Sequence, residues 1–550
     1  MAVAEAKERC VPQIAEVLSR MPHWWERQAT AAGLPAEWRH WELALDAPPV
    51  ALEESVPRLL DESMYEIGEA YIQALEPSIR LLHGRHYTPR PLAEALWREV
   101  LAVSAGDGPV VDPAAGAGAL LVPPLRRFVE AADDPVEALT QVTARFGGTD
   151  LDPIAVWLGN AFLAAELLPL WRQLPSRQRE PLPRILRVGD GLAPHGGRPQ
   201  TIVMNPPYGR VRLSASARER WQATLYGHAN RYALFLQAAV ERVSPGGVIA
   251  AVVPTSFLGG SYFQRLRAFL AREAPLARVT FLDTRAGVFV GDVLQETCLA
   301  IFRKGGGSRE VMCSRLTMNG KSGRVALPPA SLPTAREDRP WLLPRAPRDR
   351  GLVRHAAGFE ARLSDYGWKA STGPLVWNRH KVQIFSERGQ DALPIVWAAD
   401  LDGGTVRRAK AREPQRWIFL RPQDDFMRLT EAAILMQRTT APEQPRRLVV
   451  ATLDAATVAD WGGAVVVENH VNVLRCSSSD SPLSLGLLHR LLDTPTFDRL
   501  YRCLTGSVAV SAYELEALPM PPADVLLSWE RLDVEQLAPT VAVHYGDDPD

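Results

Sequence analysis

The pattern of apolar and polar positions changes near residue 80. Before it, apolar residues recur at helical spacing in segments such as PQIAEVLSRM and SVPRLLDESMYEIGEAYIQAL, with proline-containing breaks between them. From about 80 to 304, short β-rich runs such as PVVDPA, TIVMNP and GVIAAVV alternate with amphipathic stretches. That alternation predicts a parallel sheet covered by helices on both faces. We therefore expect an N-terminal helical region (1–78) and an α/β domain (79–304).

The remaining chain predicts three further segments. A glycine-rich break, KGGG, ends the α/β domain, and a proline- and arginine-rich stretch follows it, which predicts a linker (305–354). Short strands and helices with frequent Trp, Arg and Gly predict a mixed α+β domain (355–525). The last segment (526–550) carries Arg531 against a series of acids, and it is predicted to be an acidic tail that frays at its end.

Composition places the chain among ordinary globular proteins. It has 550 residues, of which 46% are hydrophobic and 23% charged, enough for several folded domains. The five cysteines form no C-x-x-C pair, so neither a disulfide framework nor a zinc site is indicated, and no metal is expected. We find no apolar run near the roughly 18 residues of a membrane span, so we expect a cytoplasmic protein with no membrane partner.

Charge becomes informative only when its distribution is considered. The net charge of −1 does not indicate a nucleic-acid partner, but residues 341–450 hold 19 Lys and Arg against 12 Asp and Glu. This excess fits either a surface that contacts phosphates or a solvated arginine-rich face.

A glycine-containing turn follows the first predicted strand of the α/β domain. It reads Val110-Val111-Asp112-Pro113-Ala114-Ala115-Gly116-Ala117-Gly118. Small residues let the backbone approach a ligand closely, and open α/β sheets bind ligands beyond the carboxyl ends of their strands. Alone, the same pattern also fits a tight turn without a ligand.

Acidic residues end the next two predicted strands. Asp150, in GTDLDP, stands where a carboxylate can accept hydrogen bonds from both ribose hydroxyls, although Asp150 and Asp152 also fit a helix N-cap. Asp190, followed by Gly191, stands where a carboxylate can accept from an adenine amino group. In this order, one strand apart, these acids strengthen the prediction of a cofactor site.

The strongest motif is Asn205-Pro206-Pro207-Tyr208, which follows the strand TIV. Two consecutive prolines restrict the backbone, so the loop is rigid and its carbonyls point outward. The Asn205 side-chain oxygen and the Pro206 carbonyl can then accept both hydrogens of an amino group and turn its lone pair toward an incoming methyl group. Tyr208 offers a flat face for stacking on a base.

These motifs, in this order, resemble the amino-methyltransferases of bacterial restriction–modification systems. The segment Gly84-Arg85-His86-Tyr87-Thr88-Pro89 precedes the glycine turn, an arrangement that resembles the gamma class, whose members mostly methylate adenine N6. The resemblance implies a Rossmann-like S-adenosylmethionine-dependent methyltransferase sheet and a C-terminal target-recognition domain. It also implies Phe289, in AGVF, as a second aromatic group facing Tyr208 across a flipped base; a core phenylalanine fits as well. The implied cofactor contacts are Tyr87, Thr88, Pro89, Asp112, Pro113, Ala114, Gly116, Gly118, Asp150, Leu151, Asp190, Gly191 and Asn205.

The resemblance implies methylation of adenine in double-stranded DNA by base flipping, without a covalent intermediate. Cytosine C5 chemistry needs a cysteine nucleophile in a Pro-Cys dipeptide, which the chain lacks. We expect a modification component without its own nuclease, serving a separate restriction endonuclease or defence-system subunits. A cytosine-N4 methyltransferase, a glutamine methyltransferase and an inactive DNA-specificity or scaffold subunit remain alternatives.

Basic residues of the C-terminal half are the predicted DNA contacts. Arg438, Arg446 and Arg447 form one group, and Arg379 with Lys381, in VWNRHK, forms a second. Structural salt bridges are the alternative for each of them.

Overall fold

A computed structural model describes residues 12–50, 61–77, 80, 87–194, 196–282, 296–306, 310–317, 323–332, 339–408, 415–440, 444–504 and 509–547. The chain divides into two compact units. Unit 1 comprises Met1–Pro254 and Arg265–Val325, and unit 2 comprises Thr255–Gln264 and Ala326–Asp550.

The helices in chain order are α1 (Pro12–Leu18), α2 (Met21–Ala31), α3 (Met64–Ala74), α4 (Arg90–Leu101), α5 (Val122–Glu130), α6 (Pro135–Arg145), α7 (Pro153–Gln173), α8 (Ala215–Arg220), α9 (Arg231–Arg242), α10 (Ser256–Gly259), α11 (Gln264–Glu273), α12 (Arg350–Gly358), α13 (Ala455–Asp460), α14 (Leu485–Leu492), α15 (Pro495–Leu504), α16 (Ala512–Glu516), α17 (Ala523–Trp529) and α18 (Val534–His544).

The strands are β1 (Val110–Asp112), β2 (Phe146–Asp150), β3 (Leu186–Val188), β4 (Thr201–Met204), β5 (Arg210–Val211), β6 (Ala229–Asn230), β7 (Val248–Pro254), β8 (Leu276–Leu282), β9 (Thr297–Arg303), β10 (Glu310–Thr317), β11 (Gly323–Ala326), β12 (Ala330–Ser331), β13 (Trp368–Thr372), β14 (Ile384–Phe385), β15 (Leu393–Val396), β16 (Leu401–Asp402), β17 (Gly404–Val406), β18 (Trp417–Ile418), β19 (Arg428–Leu429), β20 (Ala433–Gln437), β21 (Val450–Leu453), β22 (Val465–Val467) and β23 (Val471–Cys476).

Unit 1 is built on one large sheet with the order β11-β10-β8-β9-β7-β4-β1-β2-β3. The strands β3, β2, β1, β4 and β7 pair in parallel, and β9 runs antiparallel between β7 and β8. Strand β7 is buried at every position, as expected for a strand covered on both faces. The chain switches direction along the sheet after β3, so β1 and β4 lie side by side at the point where such sheets bind ligands.

Helix α7 is more apolar than the sequence analysis expects. It is 21 residues long, with a mean hydropathy of 1.5 over its best 18-residue window, and by length and composition it passes as a membrane span. However, 72% of that window is buried inside unit 1. A helix that is hydrophobic all round is also typical of a protein core, and α7 packs against α5, α6 and β3 in that way.

The N-terminal helices share the hydrophobic core of unit 1. Trp24 on α2 packs edge-to-face on Phe162 of α7, with ring centroids 5.2 Å apart, and Trp38 packs in the same way on Trp171 at 5.4 Å. Trp25 is 1% exposed. The region predicted as a separate N-terminal segment (1–78) is therefore packed with the α/β sheet in its described parts.

The predicted linker (305–354) also differs from the structure. Strand β10 pairs in parallel with β8 and extends the sheet beyond residue 304. In β10, Val311 and Cys313 are buried while Met312 between them is exposed, which is the alternation of a half-buried strand. The glycine-rich break is thus followed by two further strands of unit 1, β10 and β11.

Unit 2 contains a six-stranded sheet, β13-β23-β20-β21-β17-β16, and a five-stranded sheet, β14-β18-β15-β22-β19. The described part of the predicted acidic tail (526–547) is packed, and the predicted fraying at its end (548–550) lies outside the described residues. Helix α18 buries Leu537 and Val541, Tyr545 is 0% exposed, and Asp547 forms an ion pair with Arg499. The segment holds six acids and eleven apolar residues, so its apolar positions decide how it packs.

A buried ion-pair network in unit 1 provides a stability test. Glu99 of α4 is 3% exposed, and its carboxylate accepts hydrogen bonds from Arg278 at 2.7 Å and Thr280 at 3.1 Å and pairs with Arg324 at 2.7 Å. We expect Glu99→Gln to lower the free energy of unfolding by about 3 kcal/mol, because both arginines lose their counter-charge. Urea denaturation followed by circular dichroism measures this.

Glu94, on the same helix, is the matched control. It pairs at 2.7 Å with Arg90 but is 39% exposed, so Glu94→Gln should cost less than about 1 kcal/mol. Equal costs for the two variants would show that the Glu99 network does not stabilise unit 1.

Candidate active site

The predicted motifs lie at one edge of the unit 1 sheet. Val110 of β1 is in register with Phe146 of β2 and Thr201 of β4, and all three strands run in the same direction. Their carboxyl ends therefore meet at the same edge. The glycine turn after β1, the acid at the end of β2 and the Asn-Pro-Pro-Tyr loop after β4 are brought together as the sequence predicts.

The glycine turn makes room for a ligand on one side and packs closely on the other. Gly116 and Gly118 have φ angles of +50° and +78°, which favour glycine, and a Cβ placed on Gly116 would meet no atom within 4 Å. At Gly191, in contrast, a Cβ would lie 1.7 Å from the carbonyl oxygen of Pro113. Gly191 is thus required for the close packing of the segment after β3 against this turn.

Two acids hold the turn in place through hydrogen bonds, and a third caps the helix that follows β2. Asp112 Oδ1 accepts from the backbone N–H of Ala114 at 2.9 Å. Asp150 accepts from the N–H groups of Gly116 and Asp152, both at 2.9 Å. Asp152 is the N-cap of α7 and accepts from the N–H of Ile154 at 3.0 Å. The N-cap role considered for both acids therefore belongs to Asp152, and Asp150 faces the glycine turn.

Asp112 has an unusual electrostatic environment. It is 1% exposed, and its burial raises the pKa of the carboxyl group to about 8; the hydrogen bond from Ala114 opposes this shift and the nearby Asp150 adds to it. A ligand with positive charge at this position favours the ionised form of Asp112.

The catalytic loop holds the Asn205 amide in a defined orientation. Its Nδ2 donates to Thr88 Oγ1 at 3.0 Å, and its Oδ1 accepts from the Tyr208 hydroxyl at 3.0 Å. The same hydroxyl lies 3.2 Å from the carbonyl oxygen of Val252 on β7. Asn205 is therefore fixed between the loop's own tyrosine and the segment that precedes α4.

Tyr208 is more enclosed than a stacking platform suggests. Its side chain is 8% exposed, its ring packs edge-to-face on Tyr232 with centroids 6.3 Å apart, and burial raises the pKa of its hydroxyl above the usual range. Among the described residues, the hydroxyl group of Tyr208 orients the side chain of Asn205. Stacking of its ring on a base stays a prediction.

A pocket lined by residues of these elements joins them. Six of the predicted site residues line it: Tyr87, Thr88, Asp112, Ala114, Gly116 and Asn205. The amide of the catalytic loop and the glycine turn thus share one pocket, and a methyl donor and acceptor held by them would be adjacent.

Helix α3 forms a wall of this pocket, which the sequence analysis does not predict. Gly68, Tyr71 and Ile72 line it. The Tyr71 hydroxyl donates to Asp152 Oδ2 at 2.6 Å, and a Cβ on Gly68 would lie 2.2 Å from the Tyr87 ring. The available sequence signal is weak: a glycine in the middle of a helix costs about 1 kcal/mol relative to alanine and so often has a packing reason.

Other predicted cofactor residues lie at the same sheet edge but do not line the pocket. Leu151 is 58% exposed beside Asp150, and Asp190 is exposed, with Oδ1 accepting from the N–H of Leu192 at 2.9 Å. Pro89 begins α4 as its N-cap residue. Phe289 and residues 84–86 lie outside the described part of the chain.

The predicted DNA contacts in unit 2 differ in accessibility. Arg447 is 1% exposed, and its guanidinium donates to the carbonyl of Thr440. A DNA contact does not fit Arg447, because phosphates cannot reach a side chain enclosed by the protein. Its charge suggested a surface position, but the fold uses it inside unit 2.

Arg446 and Arg438 are partly accessible. Arg446 pairs with Asp493 at 2.6 Å and is 38% exposed, and half-buried Arg438 donates to the carbonyl of Asn469 at 3.2 Å.

Arg379 and Lys381 are exposed, and Lys381 Nζ lies 5.1 Å from the centroid of a tryptophan ring, that of Trp377. Of the two predicted groups, this one is more accessible to a nucleic acid.

Comparison with known proteins finds similarity to restriction–modification methyltransferases. The family model of the Eco57I restriction-modification methylase matches residues 200–289, which include β4 and the Asn-Pro-Pro-Tyr loop. The Type II methyltransferase M.PstI of Providencia stuartii is 27% identical over 337 residues, which cover 59% of this chain and 65% of that protein. The Type II methyltransferase M.BsuBI of Bacillus subtilis is 24% identical over 341 residues, 61% of this chain and 68% of that protein.

A solved structure shares the fold over most of the chain. The Type IIL restriction-modification enzyme MmeI, solved in complex with DNA, superposes with a TM-score of 0.56 and 13% identity, covering 97% of this chain and 89% of that one. Together these findings confirm the predicted resemblance to restriction–modification DNA methyltransferases. They also confirm the predicted fold class and S-adenosylmethionine as the cofactor that this fold and these relatives imply.

The contact between α3 and Tyr87 can be tested by Gly68→Ala. The added methyl group must displace the Tyr87 ring and with it the neighbouring Thr88, so we expect at least a tenfold rise in the Kd for S-adenosylmethionine, measured by isothermal titration calorimetry. Gly486→Ala is the control, because it also lies in a helix, α14, but a Cβ there comes no closer than 3.8 Å to Ser484 Oγ. An unchanged Kd for Gly68→Ala in a folded protein would contradict this role of α3.

The raised pKa of Asp112 predicts a pH dependence of stability. Because its pKa is about 8 when folded and about 4 when unfolded, the folded state binds more protons between these values, and Asp112 makes the protein less stable as pH rises through that window. Asp112→Asn removes this loss and keeps an acceptor for the Ala114 N–H. Without cofactor, the variant should gain melting temperature over the wild type as pH rises from 5 to 9. A difference that is constant with pH would contradict the prediction.

Proposed function

We propose that this chain transfers a methyl group from S-adenosylmethionine to the exocyclic N6 of adenine in double-stranded DNA. The observation that carries the proposal is the position of Asn205, which lies on the wall of the same pocket as Asp112 and Gly116. An amino group held by the Asn205 oxygen is therefore next to the glycine turn, where the cofactor is expected.

The residues around the pocket fit S-adenosylmethionine. The space over Gly116 is open to a ligand, and the half-buried carboxylate of Asp150 lies beside it at the end of β2. When bound, the cofactor supplies an electrophilic methyl group on a sulfonium centre. The buried carboxyl group of Asp112 suits a cofactor with net positive charge, and Thr88 links the wall that it forms with Tyr87 to the catalytic amide.

The catalytic loop positions the acceptor nitrogen. Asn205 Oδ1 already accepts from Tyr208, and a carbonyl oxygen has a second lone pair that can accept from the amino group of a base. The amide cannot rotate freely, because its Nδ2 is bound to Thr88. This fixed acceptor aligns the nitrogen lone pair with the methyl group, and since the amino nitrogen is itself the nucleophile, no covalent enzyme intermediate is needed.

Base flipping and DNA recognition complete the proposed reaction. Adenine N6 lies inside the stacked duplex, so the nucleotide must leave the stack to reach Asn205. Unit 2 is the proposed target-recognition domain, with Arg379 and Lys381 as its accessible basic group. We further propose that the protein acts in the bacterial cytoplasm as a modification component beside a separate endonuclease or defence-system subunits.

Transfer of tritiated methyl from S-adenosylmethionine to unmethylated genomic DNA, followed by nucleoside analysis, tests the proposal. The wild type should produce N6-methyladenine, and Asn205→Ala should lower kcat at least a hundredfold, because the amino group loses its fixed acceptor. N4-methylcytosine in place of N6-methyladenine would change the target base and keep the mechanism. Label in protein or RNA, or no transfer at all, would contradict the proposed function.

Tyr208→Phe is the matched variant, since it keeps the ring and removes only the hydroxyl group that bonds Asn205. It should lower kcat less than Asn205→Ala does. Tyr208→Phe should bind S-adenosylmethionine within about threefold of the wild type, because Tyr208 is not among the residues that line the pocket. An unchanged Kd in this variant separates loss of catalysis from loss of the pocket.

A further inference from the structure

A basic excursion begins directly after the catalytic loop. Residues 209–231 hold five arginines against one acid, Glu219, in a chain whose net charge is −1. The excursion contains the antiparallel pair β5–β6 and helix α8. It has a small core of its own around Trp221 and Leu225. It is thus a folded element of unit 1 with a strong positive charge.

Both ends of this excursion are tied to the catalytic loop. Gly209 directly follows Tyr208, and its carbonyl accepts from the backbone N–H of Arg231 at 3.0 Å. The next residue, Tyr232, packs against the Tyr208 ring. Because the strand pair starts at Arg210, the residues of β5 follow Tyr208 by only two and three positions.

The excursion uses some of its arginines internally. Arg220 pairs with Glu241 through both guanidinium nitrogens and lies 4.3 Å from the Trp221 ring centroid. Arg218 donates to the carbonyl of Gly227 at 3.1 Å. These two side chains stabilise the shape of the element.

Arg210 and Arg212 are nearer to the catalytic loop along the chain. Val211 and Leu213 pack against the small core, while Arg210 and Arg212, which alternate with them, are exposed. Both residues thus lie on the surface of unit 1, two and four residues after Tyr208. The arrangement suits a polyanion that passes next to the catalytic loop.

We propose that Arg210 and Arg212 bind the phosphates that flank the flipped nucleotide, on the DNA strand that carries the target base. The proposal rests on the proposed function. A flipped base that reaches Asn205 remains joined to its own phosphates, so the backbone must run close to the loop that starts at Tyr208. Consecutive Cα atoms are about 3.8 Å apart, which keeps Arg210 within about 8 Å of Tyr208, and an arginine side chain spans the rest. Contacts to phosphate position the strand without reading its sequence.

The salt dependence of DNA binding tests the proposal. The Kd for DNA is measured by fluorescence anisotropy between 50 and 300 mM KCl. The probe is a 30-base-pair duplex that contains a site which the wild-type enzyme methylates. Each lost phosphate contact lowers the slope of log Kd against log salt by about 0.9. Arg210→Ala/Arg212→Ala should therefore lower the slope by about 1.8, weaken binding equally on specific and non-specific duplexes, and leave the Kd for S-adenosylmethionine unchanged.

Arg177→Ala is the matched control. Arg177 is also exposed, but it follows the carboxyl end of α7, which runs back to the opposite edge of the sheet. The Arg177→Ala variant should show the same slope of log Kd against log salt as the wild type.

If the double variant keeps the wild-type slope while the wild type methylates DNA, the proposed phosphate contact is wrong and the proposed function stands. If the wild type transfers no methyl group to DNA, the proposed function itself fails. If the double variant melts below the wild type, Arg212→Ala alone is measured, with an expected slope change of about 0.9.

Discussion

The parallel pairing of β1 with β2 and β4 is the constraint on which the site depends. It fixes the carboxyl ends of three strands at one edge, and each strand delivers one part of the chemistry: the glycine turn, the acid Asp150 and the Asn-Pro-Pro-Tyr loop. The contact of Gly191 with the Pro113 carbonyl then brings the segment after β3 against the same edge. A shift in this register would move the Asn205 amide away from the cofactor pocket, although the sequence of every motif would be unchanged.

The N-terminal region belongs to the same arrangement. Its tryptophans pack on α7, whose N-cap Asp152 is bound by Tyr71, so the core and the pocket share one helix at opposite ends. The buried hydroxyl groups of Tyr71 and Tyr208 perform similar work, since each fixes a polar side chain at the pocket edge. The shape of the cofactor pocket and the packing of unit 1 therefore depend on the same small set of hydrogen-bonding residues.

The sequence predicted the parts of the site whose geometry is local. Two prolines restrict their own backbone, and a glycine turn after a strand needs no distant partner, so both motifs and the α/β fold could be recognised. The contact of Gly68 with Tyr87 could not, because periodicity shows that α3 is a helix but not which neighbour it packs against. The prediction that Arg447 contacts DNA was wrong for a related reason. Arg447 is buried beside Asp498 and Thr440, which only the tertiary structure brings to it. The acidic tail was predicted from its charged residues, whereas five apolar residues of its described part are buried: Leu526, Trp529, Leu537, Val541 and Tyr545.

The closure of residues 209–231 at their base has an evolutionary consequence. The hydrogen bond from Arg231 to Gly209 and the pairing of β5 with β6 hold the two ends together, and the rings of the adjoining Tyr208 and Tyr232 are in contact. The entropic cost of a loop closed in this way grows only slowly with its length. Insertions and deletions in the excursion can therefore accumulate without moving the catalytic asparagine, and this position of the fold is open to variation in how a methyltransferase holds its DNA.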